Sequence, residues 1–438
     1  PGNTPAGYLD GMLVVSPISQ FVKGVLLVLT LCTALVSLET KFTEHPGEYF
    51  ALLLLATVGM LFLVSTENTL LIFVSLELVS LCLYVMTAFN KQNARSAEAA
   101  LKYFLIGGVS AAFLLFGLSL AYGLTAELNL AKMAAKLAGA PPDPLLLVAL
   151  LMILAGFGFK VAAVPFHWWA PDAYQGAPTP SAALIASGSK VASFFILAKV
   201  MMVGFAGAEG SGAWRGFAQG WVPVLALLAA LSVVMGNIAA IAQSSVKRLL
   251  AYSAVAHAGY ALVGVLANQK ADGFAAVLYY ATTYALTAVG AFAVVAVVQG
   301  RTGDDRLATF AGLSRRSPVL AACLMVFMLS LAGIPPLAGF FGKVYLFKAG
   351  LFVKGGGAAS LGLLWLVILA IAMSAVSLYY YLQVLKQAFV ADAPADAPEL
   401  PVSRVTVLML VLLAGAVLLL GLFPNWLVKP LLAALVGG

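Results

Sequence analysis

The sequence predicts an all-α polytopic membrane protein of about twelve transmembrane helices, on three observations. Of 438 residues, 63% are hydrophobic and only 9% charged, against roughly 45–50% and about 25% in soluble domains. The apolar residues fall in runs long enough to cross a hydrocarbon core of about 30 Å, with short polar breaks between them. These runs are continuous and do not alternate with period two, which excludes an outer-membrane barrel, and so much apolar surface excludes disorder and coiled coil.

In chain order the runs bounded by Gly, Pro or charge are 17–38, 49–64, 69–88, 101–123, 145–169, 179–205, 221–242, 248–267, 271–298, 318–350, 360–389 and 402–421. The run 49–64 is short and needs its flanks to span. The run 318–350 would measure about 50 Å as one straight helix, so Gly333-Ile334-Pro335-Pro336 in its middle reads as a break. Pro165 breaks 145–169 in the same way, because proline lacks an N–H and disfavours helix for the residue before it. Broken helices survive in a membrane where the freed backbone groups face protein or water, and a matched pair points to inverted repeats. The expected organisation is an N-terminal segment with one transmembrane helix at 1–48, repeats at 49–205 and 206–389, and a linker with a C-terminal transmembrane helix at 390–438. Residue-level similarity between the two units does not by itself establish a repeat. The Pro- and Asp-rich stretch 391–400 reads as a plain linker. The start at Pro1, without the basic stretch and cleavage site of a signal peptide, suggests a fragment.

The net charge of +7 comes from 24 Lys and Arg against 17 Asp and Glu. The bases sit singly between apolar runs, with no basic stripe interleaved with aromatics, so they read as a topology signal and not as a nucleic-acid surface. One set of alternate loops, including Lys41, Lys91, Arg95, Lys247, Arg248 and Arg301, holds eleven; the opposite set, including Lys132, Lys136, Arg215, Lys270 and Lys354, holds seven. The richer set is expected in the cytoplasm, with both ends of the chain outside. No segment between spans exceeds about 25 residues, too few for a soluble domain. Cys32, Cys82 and Cys323 form no CxxC pair, which argues against disulfides, zinc and iron–sulfur clusters.

Six bases remain inside apolar runs, Lys23, Lys102, Lys160, Lys190, Lys199 and Lys343, with a single comparably deep acid, Glu77. An ionisable group near the bilayer centre costs at least about 2.5–3.5 kcal/mol, which makes each a functional candidate. Lys23 and Lys102 stand near the starts of their runs and Lys199 near the end of its run, where a lysine stem can snorkel to water. Glu77, Lys160, Lys190 and Lys343 are too deep for that. Lys160 stands just before the Pro165 break and Lys343 just after Pro336, where unwound backbone and admitted water let an amine gain and lose protons. An amine with an ordinary pKa near 10.4 exchanges protons at neutral pH when its surroundings cost the charged form about 4 kcal/mol, which burial can supply. A carboxylate partner opposes this, so opening and closing a Glu77–lysine pair would make a switchable proton site without a metal. His257 lies mid-run and suits either a relay between lysines or a hydrogen-bonded structural role. His167, beside Trp168 and Trp169, is a candidate for proton uptake, while the tryptophans and Tyr379, Tyr380 and Tyr381 read as interfacial anchors. No histidine pair suits haem, and one buried acid is too few for a sodium cage.

GFGFKVAAVPFHWWAPDAYQGAPTP (156–180), LSLAGIPPLAGFFGK (329–343) and VKRLLAYSAVAHAGY (246–260) resemble the antiporter-like membrane subunits of respiratory complex I. That family also includes subunits of Mrp cation/proton antiporters and of membrane-bound hydrogenases. DAYQGAPTP followed by SGSK (187–190) is similar to the pattern of its N, or subunit 2, branch in bacterial NADH:quinone oxidoreductase. The resemblance implies fourteen helices in two inverted five-helix repeats, about two of them missing before this chain. It implies that Glu77, Lys160, Lys190 and Lys343 are the proton-transfer residues; the reading of the residues themselves adds His257, Lys102 and His167 as candidate relay or uptake groups. It further implies a non-redox proton-translocating subunit of the bacterial inner membrane, packed against subunit M and small membrane subunits. NADH, FMN, iron–sulfur clusters and quinone would belong to partner chains, with no cofactor or metal here. The other readings are an Mrp-type Na⁺/H⁺ antiporter or hydrogenase subunit, or a non-pumping scaffold of the membrane arm.

Overall fold

The computed structural model describes residues 6–9, 11–138, 143–214, 216–267, 270–351, 362–393 and 400–436. Most of the expected linker 391–400, Arg215 and Lys354 lie outside them. Two short antiparallel strands, β1 (Ala6–Tyr8) and β2 (Leu13–Val15), precede the helices. Among the described residues, ten helices are long and apolar enough to cross a membrane.

The first group begins with α1 (Pro17–Leu38), whose Ser16 and Ser19 form a reciprocal capping box with Pro17 at the first helical position. After α2 (Pro46–Leu63) comes α3 (Thr69–Thr87), where Asn68 Oδ1 accepts from the Leu70 and Leu71 amides at 3.0 and 3.2 Å. The 32-residue α4 (Ala94–Thr125) is followed by the short α5 (Leu130–Leu137), which the sequence pattern did not announce. Next, α6 (Pro144–Val161) is broken from α7 (Trp169–Gly176) around Pro165, as expected. The run 179–205, expected as one helix, is divided at Ser187 into α8 (Thr179–Ala186) and α9 (Gly188–Lys199), and α9 ends in a π turn, Val200–Gly204.

The second group is α10 (Trp221–Ile241), α11 (Val246–Val265), the 33-residue α12 (Lys270–Thr302) and a single turn, α13 (Leu313–Arg316). The expected break at Gly333–Pro336 separates α14 (Pro318–Ala332) from α15 (Ala338–Leu351). The chain continues through α16 (Leu364–Phe389), α17 (Arg404–Leu422) and α18 (Asn425–Val436). The last of these was not foreseen.

Burial separates centre from rim. In the most apolar stretch of α8–α9 and of α12, 94% of residues are buried, against 39% in α2, α4 and α17. A rim helix turns apolar side chains such as Leu101, Leu105 and Val109 outward, which water would penalise and lipid does not. Helices at the centre meet through small residues. At the α10–α11 crossing, a Cβ on Gly236 would lie 2.5 Å from the Ala256 amide nitrogen, and one on Gly259 would lie 2.7 Å from a Val233 methyl. That close approach brings the residues just after these glycines, Asn237 and Tyr260, within hydrogen-bond reach of each other.

Candidate proton-transfer site

Each broken helix ends in the same way, and each end is met by a lysine. The backbone turns left-handed at Ala162 after α6 and at Gly333 after α14. The Ala163 N–H closes back on Gly158 O at 2.8 Å, and the Ile334 N–H closes back on Leu329 O at 3.0 Å. These closures satisfy carbonyls one turn back but not the last ones. Lys190 of α9 donates to the Val161 carbonyl. Lys343 of α15 donates to Leu331 O at 3.1 Å and Ala332 O at 2.9 Å. Both amines are buried, and each sits on the negative pole of a half-helix, the arrangement that favours a cation there. The sequence pattern assigned Lys160 to the first break; the structure places Lys190 on it.

Lys160 is held differently. Its Nζ lies 3.1 Å from Glu77 Oε1 on α3 and donates to Ser80 Oγ one turn further along that helix. The Lys160 side chain is 8% exposed and that of Glu77 22%, so the pair is a largely enclosed ion pair between α6 and α3.

Between Lys190 and Lys343 stands a hydrogen-bonded aromatic cluster centred on His257 of α11. His257 Nδ1 is 2.6 Å from the Tyr280 hydroxyl, and Nε2 is 3.0 Å from that of Tyr381, which also meets Ser253 Oγ at 2.5 Å. A cavity of about 10 Å³, room for roughly one water, lies among Lys190, His257, Tyr280 and Tyr284. On the Lys343 side, the Tyr380 hydroxyl donates to Asn237 Oδ1 at 3.0 Å, and Asn237 Nδ2 donates to the Tyr260 oxygen at 2.9 Å. The Tyr260 ring centroid is 5.1 Å from Lys343 Nζ. Tyr380 and Tyr381 are therefore core residues and not interfacial anchors; among the three consecutive tyrosines only Tyr379 faces outward. A run of three aromatics within an apolar helix fits either role, so sequence alone misassigned two of them.

The remaining candidates lie apart from this axis. Lys102 is exposed at the surface of α4, with Glu98 at 2.7 Å and Asp172 at 2.9 Å. Asp172 also takes Arg248 Nη1 at 2.6 Å. Partial burial pushes the Asp172 carboxyl up, and the hydrogen bonds and charges of Lys102 and Arg248 outweigh that, holding it below the usual carboxylate range. This cluster borders a polar cavity of about 370 Å³ with Arg95, Gln175, Ser245 and Asp305. His167 is buried in the turn between α6 and α7, its Nδ1 without a hydrogen-bond partner among the described residues. Lys199 pairs with Glu67 at 3.0 Å, a carboxylate the sequence pattern gave no role. Lys247, expected in a loop, is buried and donates to Ala177 O at 2.8 Å; it sits in the first turn of α11, where composition does not distinguish a loop base from an enclosed one.

Comparison with known proteins places the chain in a family. The pattern describing the transmembrane region of NADH:quinone oxidoreductase and Mrp antiporter subunits matches residues 66–378. NADH-quinone oxidoreductase subunit N 2 of Acidobacterium capsulatum is 54% identical, the match covering 98% of this chain and 87% of that protein. A chain of respiratory complex I from Thermus thermophilus with bound Aureothin superposes with a TM-score of 0.78 at 37% identity, over 98% of this chain and 88% of that one. A chain of the Mrp complex from Dietzia sp. reaches a TM-score of 0.82 at 21% identity, over 96% and 83% of the two chains, which shows a shared fold. The chain belongs to the family of antiporter-like membrane subunits of NADH:quinone oxidoreductases and Mrp antiporters, in its subunit N branch.

Proposed function

We propose that this chain translocates protons as a non-redox membrane-arm subunit of NADH:quinone oxidoreductase. Protons from the cytoplasm reach Lys160 and Lys190, pass the His257 cluster to Lys343 and leave on the opposite side. The observation that carries this reading is the placement of Lys190 and Lys343, each buried against the last carbonyls of a broken half-helix. A broken helix end, whose last carbonyls are free to take a partner, is where a buried amine can be held and change its proton count. The Glu77–Lys160 pair is the input: closing it favours the charged amine, and opening it favours release. Electron transfer from NADH to quinone, on FMN and iron–sulfur clusters of partner chains, drives that opening; Lys102 and His167 serve uptake.

The matching helix ends support reading 49–205 and 206–389 as inverted repeats. In this reading the chain lies in the bacterial inner membrane, packed against subunit M and small membrane subunits, with both of its ends outside. The 54% identity to a subunit N protein favours this over a Na⁺/H⁺ antiporter. The test is isolation of the intact assembly in mild detergent, followed by charge-neutralising substitution. Flavin and iron–sulfur chains travelling with this subunit, and normal assembly with lost pumping in Lys190→Ala, are the expected results. Copurification without redox chains would support an antiporter, and unchanged pumping would leave only a scaffold.

A further inference from the structure

Lys343 carries three protons when charged, and three acceptors meet them: Leu331 O at 3.1 Å, Ala332 O at 2.9 Å and Ser374 Oγ of α16 at 2.8 Å. The two carbonyls can only accept. Once the amine gives up a proton it presents a lone pair, and one of its partners must then donate. Ser374 is the partner able to do so, because a hydroxyl both donates and accepts. The same holds at Lys160, which donates to the Glu77 carboxylate and to Ser80. An ionised carboxylate only accepts, so Ser80, whose own proton now goes to Leu76 O at 2.5 Å, is again the reversible partner.

A phenol stands behind each serine. Tyr260 lies beside Ser374 and receives the Asn237 amide proton at 2.9 Å, which leaves its own O–H free to point at the serine. Tyr84 lies beside Ser80, with its hydroxyl buried and without a hydrogen-bond partner among the described residues. Lys190 differs, since the contact its amine makes is the Val161 carbonyl.

We propose that Ser374 and Ser80 are the hydroxyls through which Lys343 and Lys160 lose and regain their protons. On release, a lysine N–H bond breaks and an O–H bond forms at the serine. The serine's original proton passes to an adjacent water, so the serine stays neutral and no electron moves. The serine then donates to the lysine lone pair while the tyrosine donates to the serine oxygen, so the neutral amine is as fully hydrogen-bonded as the charged one. Lys190, without a hydroxyl partner among the described residues, exchanges through water.

This rests on the proton-axis reading, and the experiment separates the two. NADH-driven turnover and protons moved per electron are measured for the intact complex in vesicles carrying Ser374→Ala, Ser374→Thr, Ser80→Ala or Lys343→Ala, with assembly checked by subunit composition. Loss of a hydrogen bond to a charged group predicts roughly tenfold slower coupled turnover in each serine-to-alanine variant, with Ser374→Thr restoring it because the hydroxyl remains. Wild-type turnover and stoichiometry in Ser374→Ala, alongside loss of pumping in Lys343→Ala, would overturn the serine role alone. A Ser374→Thr variant as impaired as Ser374→Ala would also overturn it, since the serine would then act by packing. Unchanged pumping in Lys343→Ala would overturn the axis and the serines with it. Ser374 is only half-buried, so its alanine variant decides the matter if Ser80→Ala fails to assemble.

Discussion

The Lys160 amine lies 3.1 Å from the Glu77 carboxylate and ties the end of α6 to the middle of α3, 83 positions apart in the chain. Removing one partner of a largely buried pair leaves the other charge uncompensated, which costs more than removing both. Glu77→Gln and Lys160→Met are each expected to destabilise the fold by about 3 kcal/mol, the low end for buried pairs because the carboxylate is partly open to solvent. The double variant should lose less than the sum of the two. Thermal unfolding of the detergent-solubilised complex reads the coupling, and strict additivity would show that the two charges do not interact.

Gly333 holds a left-handed backbone at the end of α14, with φ at 87°. A Cβ there would lie 3.0 Å from Lys343 Cδ and 3.1 Å from Nζ. Gly333→Ala therefore carries a backbone penalty of roughly 1–2 kcal/mol and presses on the Lys343 side chain, which must give by a few tenths of an ångström beside its carbonyls. A lower melting temperature together with pumping below that of the unaltered complex is expected. Normal pumping would mean that the amine's seat at this helix end is dispensable.

The α10–α11 crossing sets the Asn237–Tyr260 bond. Gly259→Leu would push the helices apart at a contact of 2.7 Å, at an overpacking cost of about 1–3 kcal/mol. Asn237→Leu removes the bond without separating the helices. If the bond positions Tyr260 toward Lys343, both variants should slow coupled turnover, and Asn237→Leu should do so with the smaller drop in thermal stability. Wild-type turnover in Asn237→Leu would remove Asn237 from the account.

Asp172 titrates below its ordinary value because Lys102 and Arg248 hold its charged form. A carboxyl with a depressed folded-state pKa contributes stability above its unfolded value, near 3.9, and loses that contribution as pH falls through the lower folded value. Between pH 6 and 3 the unaltered protein should therefore lose more thermal stability than Asp172→Asn, which has no charge there to lose. Equal losses would show that the contacts with Lys102 at 2.9 Å and Arg248 at 2.6 Å together add nothing.

The helix breaks, the apolar runs that form most of the helices and the deep charges were legible in the sequence because each follows from local rules; the exact number of spans was not, with about twelve expected and ten helices of spanning length among the described residues. Proline 165, the Gly333–Pro336 stretch and a lysine or glutamate inside an apolar run announce themselves. What those charges touch was not legible. Lys160 is nearer the Pro165 break in sequence, yet Lys190, 29 positions beyond Val161, takes the freed carbonyl, because the partner of a helix end is set by which helix packs across it. Ser80, Ser374, Tyr260 and Asn237 look like ordinary residues of apolar helices, and only the packed structure puts the two serines and the Tyr260 ring against the amines, with Asn237 behind Tyr260. Tyr380 and Tyr381 were misassigned for a related reason. Consecutive aromatics in an apolar helix fit both a lipid interface and a core, and it is the neighbours, His257 and Asn237, that decide. Lys102 shows the converse: it lies within an apolar run, yet its side chain is 45% exposed on a helix that extends beyond that run.

The most direct test of the central claim is the number of protons pumped per electron in the intact complex carrying Lys343→Ala, measured in sealed vesicles with NADH as donor. The proton axis predicts a clear fall in that ratio in an assembled complex whose NADH oxidation by an artificial acceptor is unchanged. A ratio equal to that of the unaltered complex would contradict it.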